Sequence, residues 1–271
     1  MEKLLVSLKN GDKIKVTVEG EGVDTVVIGG KEKVIISGPC SVEDYSTMQK
    51  IGANLKKSGV NILRAGAFKP RTSPYDFQGL GMDGVKILYE VSREQRMPMI
   101  TEIMDTKDIG SMMPYVDIFQ IGSRNMYNYT LLKEIGRQNK PVLIKRGFSA
   151  TLSEWMYAAE YVMSEGNHNV ILCERGIRTF EKYTRNTLDL NAVAVIKKEF
   201  RIPVVVDPSH GTGLRELVRT MSLAGIAAGA DGLMIESHVR PDNAISDARQ
   251  TISIDTLNDI VNDINKFQSI F

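Results

Sequence analysis

The sequence predicts a (β/α)8 barrel preceded by a short β-hairpin, and three observations carry that reading. The chain has 271 residues, close to the roughly 250 of such a barrel. From Val34 onward, eight short runs rich in β-branched residues alternate with longer segments of helical period, the pattern of parallel strands joined by crossover helices. Each run also ends in, or just short of, a polar, charged or thiol side chain.

Taken in order, residues 1–30 are expected to form the hairpin, with Lys3 to Leu8 and Lys13 to Val18 as its strands around Asn10-Gly11, a pair that adopts positive φ readily. It would plug the N-terminal mouth of the barrel or form a subunit contact. The catalytic barrel is expected over residues 31–271. Its strands read as Val34 to Cys40, Asn61 to Phe68, Pro98 to Ile103, Val116 to Gly122, Pro141 to Gly147, Asn169 to Gly176, Pro203 to His210 and Gly232 to His238. Between them, segments such as Leu152 to Ser164 and Leu214 to Ala228 repeat apolar residues at three and four, as helices covering a sheet do.

Apolar residues make up 42% and charged residues 25% of the chain, enough to build a sizeable core and too balanced for a disordered or fibrous protein. The formal net charge is +1, so no global positive field exists to hold a nucleic acid or an anionic membrane, and neither partner is expected. No stretch has the length of a membrane span, and Met1 to Thr17 lacks the apolar core of a signal peptide. The two cysteines, Cys40 and Cys173, have no zinc-ribbon or disulfide spacing. A soluble cytoplasmic protein is expected.

The fixed hand of βαβ crossovers sends the C-terminal ends of all eight strands to one face. Going round, they present Cys40, Arg64 with Lys69 beyond it, Glu102, Arg124, Lys145, Arg175, His210 and Glu236. Burying several cations at one mouth is costly unless an anion or metal compensates, so this ring predicts a multiply charged ligand. The segment from Arg64 to Pro74 adds Lys69, Pro70, Arg71, Thr72 and Ser73 in a proline-stiffened loop suited to phosphate and carboxylate oxygens. Arg124, after Gly122-Ser123, joins Lys145 and Arg175 in this anion trap. Cys40, His210, Glu236 and Asp247 form a second set, whose mixed soft and hard donors suit one divalent ion, Mn2+, Fe2+, Co2+ or Zn2+, better than Mg2+. Three further residues take plainer roles. Cys173 reads as a packed thiol, His168 as a solvated residue at the opposite mouth, and His238 either lines the site or is structural.

At these residues the sequence resembles the 3-deoxy-D-arabino-heptulosonate 7-phosphate (DAHP) synthase family in its short type I beta form. The likeness runs from about Lys33 to the C-terminus through Gly38-Pro39-Cys40-Ser41, Lys69-Pro70-Arg71-Thr72, Ile121-Gly122-Ser123-Arg124, Leu143-Ile144-Lys145-Arg146-Gly147, Cys173-Glu174-Arg175-Gly176, Asp207-Pro208-Ser209-His210 and Ile235-Glu236-Ser237-His238, all in order. The resemblance implies a metal-dependent condensation of phosphoenolpyruvate with erythrose 4-phosphate and water, the first step of the shikimate pathway, in a homodimer or homotetramer. It implies Cys40, His210, Glu236 and Asp247 as metal ligands, the choice of Asp247 over Asp242 resting on the family's Ser-Asp step. Arg64, Lys69, Ser123, Arg124, Lys145 and Arg175 would bind phosphoenolpyruvate. Arg71 and Thr72, in the loop shaped by Pro70, would bind the sugar phosphate. Lys69 or Lys145 would deliver a proton to the new alkoxide, and Glu102 would orient the water. With only about thirty residues before the first barrel strand, a regulatory domain of the ferredoxin-like or chorismate mutase kind has no room, which predicts weak or no feedback inhibition. The alternatives are 3-deoxy-D-manno-octulosonate 8-phosphate synthase, which uses arabinose 5-phosphate and usually carries an Asn-Arg-Ser type loop where this chain has Pro70-Arg71-Thr72, and a Schiff-base aldolase with Lys145 as nucleophile.

Overall fold

The structure, a computed structural model, describes residues 3–71 and 73–268. Among these, two short antiparallel strands come first, β1 (Val16–Val18) and β2 (Val26–Ile28). Eight parallel strands then close a barrel in sequence order: β3 (Val34–Gly38), β4 (Ile62–Arg64), β5 (Met99–Ile103), β6 (Ile118–Ile121), β7 (Val142–Lys145), β8 (Val170–Glu174), β9 (Val204–Val206) and β10 (Gly232–Glu236), the last pairing back to β3. The crossovers carry α1 (Tyr45–Lys57), α2 (Met82–Glu94), α3 (Ile109–Met112), α4 (Tyr129–Gly136), α5 (Leu152–Met163), α6 (Leu190–Glu199), then α7 (Pro208–Thr212) with α8 (Arg215–Ala227), and α9 (Ile254–Gln268) follows β10. None of the helices is long and apolar enough to cross a membrane among the described residues.

Local signals set the helix starts. Thr151 and Glu154 form a reciprocal capping box on α5, and Asp44 accepts the Thr47 N–H at the start of α1. Asp207 caps α7, whose first residue is Pro208 and which stops at Gly213 in the left-handed region (φ 70°). The chain therefore turns straight from β9 into a single helical turn that carries His210.

Every barrel strand has two apolar faces, because the wall separates two cores. Outward residues such as Ile35, Leu63, Phe119, Ile144 and Leu233 pack under the helices. Inward residues, among them Ile36, Ile62, Ile100, Ile118, Leu143, Cys173, Val205 and Met234, fill the barrel itself. The inner core continues downward into Val16, Val18, Val26 and Ile28, so the two-stranded sheet plugs the N-terminal mouth. Each such side chain contributes roughly 1.5–3 kcal/mol by leaving water.

The hairpin exists, but not with the expected strands. Lys3 to Leu8 does not form one; Leu8–Asn10 is a 3-10 turn capped by Ser7, and the Asn10-Gly11 pair does not make the hairpin turn. The second strand is instead Val26–Ile28. Alternation in Val16–Val18 and Val26–Ile28 buries one face of each (buried, exposed, buried), whereas Leu5 and Val6 are spent on Glu160, whose carboxylate takes their N–H groups. The barrel strands are likewise shorter than expected. Ala65 and Ala67 are apolar because a loop is buried there, not because β4 continues.

Candidate active site

Side chains two apart on a strand share a face. Stepping two residues from the last inward apolar residue of each strand gives Gly38, Arg64, Glu102, Gln120, Lys145, Arg175, Asp207 and Glu236. This polar ring is the floor of a cleft of about 180 Å3 lined by Arg64, Lys69, Pro70, Arg71, Glu102, Ser123, Arg124, Lys145, Arg175, His210 and Asp247, with Gln120, Phe148 and Arg185. The expected site residues thus converge, with Cys40 and Glu236 just beneath. Thr72 lies outside the described residues. Asp207, Gln120, Arg185 and Gln250 had no assigned role; the two-residue step from Val205 and Ile118 is the signal that finds the first two.

Two glycines make room. Gly38 has φ 150°, and a Cβ there would stand 2.1 Å from the Arg64 carbonyl oxygen. A Cβ at Gly122 would sit 2.0 Å from Glu102 Oε1, so that glycine admits the Glu102 carboxyl group to the cleft.

Asp207 organises one side of the floor. It is 1% exposed, accepts from Lys145 Nζ at 2.7 Å, and lies 2.8 Å from His210 Nδ1. Burial alone would raise its pKa, but His210 and Lys145 outweigh that and hold it well below the usual carboxylate range. An ionised carboxylate only accepts, so Nδ1 carries the His210 proton, and burial lowers the ring's pKa despite Asp207 and Glu236. The lone pair of a neutral imidazole is then on Nε2, which points toward Glu236 Oε1 (3.4 Å) and Asp247 Oδ2 (3.9 Å).

Cys40, Glu236 and Asp247 bring one donor atom each within 4.8 Å of one another, and His210 Nε2 faces the last two. The Cys40 thiol is pushed up to about 11, first by burial and then by Glu236. Glu236, which burial would raise, is held low by His210, Arg64 and Lys69. In this arrangement Lys69 Nζ lies 2.9 Å from Cys40 Sγ, Arg64 Nη1 donates to Glu236 Oε1 at 2.7 Å, and Cys40 Sγ is 3.2 Å from Asp247 Oδ2. Thiol, imidazole and two carboxylates on four different segments, crowded together and neutralised by borrowed cations, fit a borderline divalent ion. The Asp207 contact is the outer partner that such a histidine ligand usually has.

On the other side of the floor two arginines stand without ion-pair partners among the described residues. Arg175 is 2% exposed, and its charged form is disfavoured by that burial. Its guanidinium lies 4.7 Å from the Phe148 ring centroid, and that of Arg124 lies 5.6 Å from the same ring. Among the described residues neither has a carboxylate within ion-pairing distance. A desolvated cation without a counter-ion calls for an anionic ligand. Arg71, by contrast, is tied to Ser246 Oγ at 2.5 Å and to the Phe77 carbonyl.

Residues 6–270 match the DAHP synthetase I family. The chain belongs to that family. A curated relative from Thermotoga maritima, phospho-2-dehydro-3-deoxyheptonate aldolase, is 47% identical over 249 residues, covering 90% of this chain and 74% of the relative. The crystal structure of the phospho-2-dehydro-3-deoxyheptonate aldolase (DAHP synthase) from Thermotoga maritima superposes with a TM-score of 0.94 at 43% identity, covering all of this chain and 78% of that one. A truncated form of 3-deoxy-D-arabino-heptulosonate 7-phosphate synthase from the same organism gives 0.89 at 40% identity, over 98% of this chain and 96% of the other. More distant is the 2-dehydro-3-deoxyphosphooctonate aldolase of Francisella tularensis, 30% identical over 236 residues, 80% of this chain and 85% of the relative.

Proposed function

We propose that this chain condenses phosphoenolpyruvate with erythrose 4-phosphate and water to give 3-deoxy-D-arabino-heptulosonate 7-phosphate and inorganic phosphate. The observation that carries the reading is the pair Arg124 and Arg175, neither ion-paired among the described residues, lining the same cleft as the donors of His210 and Asp247, with Cys40 and Glu236 beside them. It provides a seat for a phosphate beside a seat for a cation, and the family supplies the reaction.

In this reading Arg124 and Arg175 hold the phosphate of phosphoenolpyruvate, while Lys145, Arg64 and Ser123 orient its carboxylate and phosphate oxygens. The sugar phosphate lies toward Pro70, Arg71 and Thr72. C3 of phosphoenolpyruvate attacks the aldehyde carbon, the cationic character left at C2 is captured by water, and the C2–O bond to phosphate then breaks. A divalent ion, Mn2+, Fe2+, Co2+ or Zn2+, held by Cys40, His210, Glu236 and Asp247, would supply Lewis acidity at the aldehyde oxygen. Lys69, beside Cys40, is the lysine placed to protonate the new alkoxide, since the Lys145 ammonium is held by Asp207. That same hold on Lys145 speaks against its use as a Schiff-base nucleophile. Glu102, whose pKa burial raises against the pull of Lys69 and Lys145, orients the water at the floor.

The test is consumption of phosphoenolpyruvate with erythrose 4-phosphate against arabinose 5-phosphate, each with and without chelator. Turnover with the four-carbon sugar that chelation abolishes supports the reading. Preference for arabinose 5-phosphate, the substrate of the octulosonate branch, refutes the sugar assignment. The expected assembly is a homodimer or homotetramer, which sedimentation tests.

A further inference from the structure

One buried pair near the cleft is left without a role by this chemistry. His238 is 1% exposed and does not line the cleft. Its Nδ1 accepts the backbone N–H of Arg240 at 2.9 Å, which places the ring proton on Nε2. That Nε2 is buried without a hydrogen-bond partner and lies 3.4 Å from Glu43 Oε1, near enough for attraction but poorly aligned. Glu43 is 9% exposed and takes the backbone N–H of Ile245 at 3.4 Å.

The position of this pair is informative. Glu43 follows Cys40 by three residues, His238 follows Glu236 by two, and Ile245 precedes Asp247 by two. The pair therefore touches each of the three segments whose donors crowd within 4.8 Å. The Asp247 segment needs such support. It leaves the barrel after β10 and returns at Ile252, which exchanges backbone hydrogen bonds with Glu236 and His238. Within that excursion Asp247 has φ 56°, a left-handed conformation that persists in a non-glycine residue only where its surroundings over-determine it.

We propose that Glu43 and His238 form a clamp that positions Asp247 against Cys40 and Glu236 and so sets the affinity of the cluster for a divalent cation. The clamp touches no reacting atom and acts through the ligands. It rests on the reading of Cys40, His210, Glu236 and Asp247 as metal donors.

The test is titration of the full chain, stripped of metal by chelation, with Co2+, following the near-ultraviolet thiolate-to-cobalt absorption. His238→Phe and Glu43→Gln should each weaken Co2+ binding by about 10–100-fold, as loss of an outer-shell partner does. The double variant should be little weaker than the poorer single, because both act through one contact. Saturating Co2+ should restore the parent KM for phosphoenolpyruvate. Unchanged Co2+ affinity in both singles overturns the clamp, as does a lowered melting temperature with no change in Co2+ affinity. If His238→Phe does not fold, Glu43→Gln, which keeps the side-chain shape, carries the same measurement. Failure of the underlying reading is distinguishable: a parent chain with no thiolate band on Co2+ refutes the ligand assignment itself, whereas a parent with the band and variants of equal affinity refute only the clamp.

Discussion

Replacing Asp207 with asparagine should unfold the barrel at a markedly lower temperature while barely changing its shape. Lys145 is 5% exposed and its ammonium lies 2.7 Å from Asp207. Breaking a buried pair from one side costs about 3–5 kcal/mol, because the remaining charge stays buried without a partner. For a chain of this size 1 kcal/mol moves the midpoint by roughly 2–4 °C, so the expected fall is about 6–20 °C by calorimetry. The double variant Asp207→Asn/Lys145→Met should recover much of that loss, since it no longer leaves the Lys145 ammonium buried without its counter-charge. The same carboxylate gives a pH signature. Its folded pKa is depressed, so its contribution is fully present above an unfolded value near 3.9 and is lost as pH falls through the depressed folded value. The asparagine variant should therefore show a shallower acid limb than the parent. A midpoint within about 2 °C of the parent, or a double variant no better than the single, would refute the reasoning.

Two further outcomes follow from the geometry. Gly38→Ala should lower the melting temperature and the yield of folded protein, because its Cβ would meet the Arg64 carbonyl at 2.1 Å, whereas Gly110→Ala, with nothing within 4 Å, serves as the neutral control; equal melting of the two would show that β3 and β4 can part without penalty. Cys40→Ser should abolish the near-ultraviolet band on Co2+ addition yet leave phosphoenolpyruvate binding measurable by calorimetry, since Arg124 and Arg175 do not touch the thiol; persistence of the band would place the thiolate ligand elsewhere.

The barrel was legible because the two periods, alternation in the strands and three-to-four spacing in the helices, are dictated by which faces meet apolar neighbours. Cys40, Arg64, Lys145, Arg175, His210 and Glu236 were legible because the crossover hand alone sends strand ends to one rim. Asp207 was hidden by its local context: Asp-Pro-Ser reads as a helix start, which it is, and only the inward step from Val205 shows that the same carboxylate also reaches Lys145. Gln250 and Arg185 were hidden for a different reason. They sit on loops, where no period fixes direction, yet Gln250 Nε2 donates to Glu236 Oε2 at 2.6 Å while its Oε1 accepts from Arg185. The first hairpin strand was misplaced because polar-apolar alternation in Lys3 to Leu8 does not say whether its partner is a strand or, as here, the Glu160 carboxylate of a neighbouring helix.

Because the inward side chains of the barrel, continued by Val16, Val18, Val26 and Ile28, pack the space beneath the polar ring, the cleft is closed at its floor. A small molecule that reaches this floor has to pass the rim, so a second molecule seated there would stand in its way out.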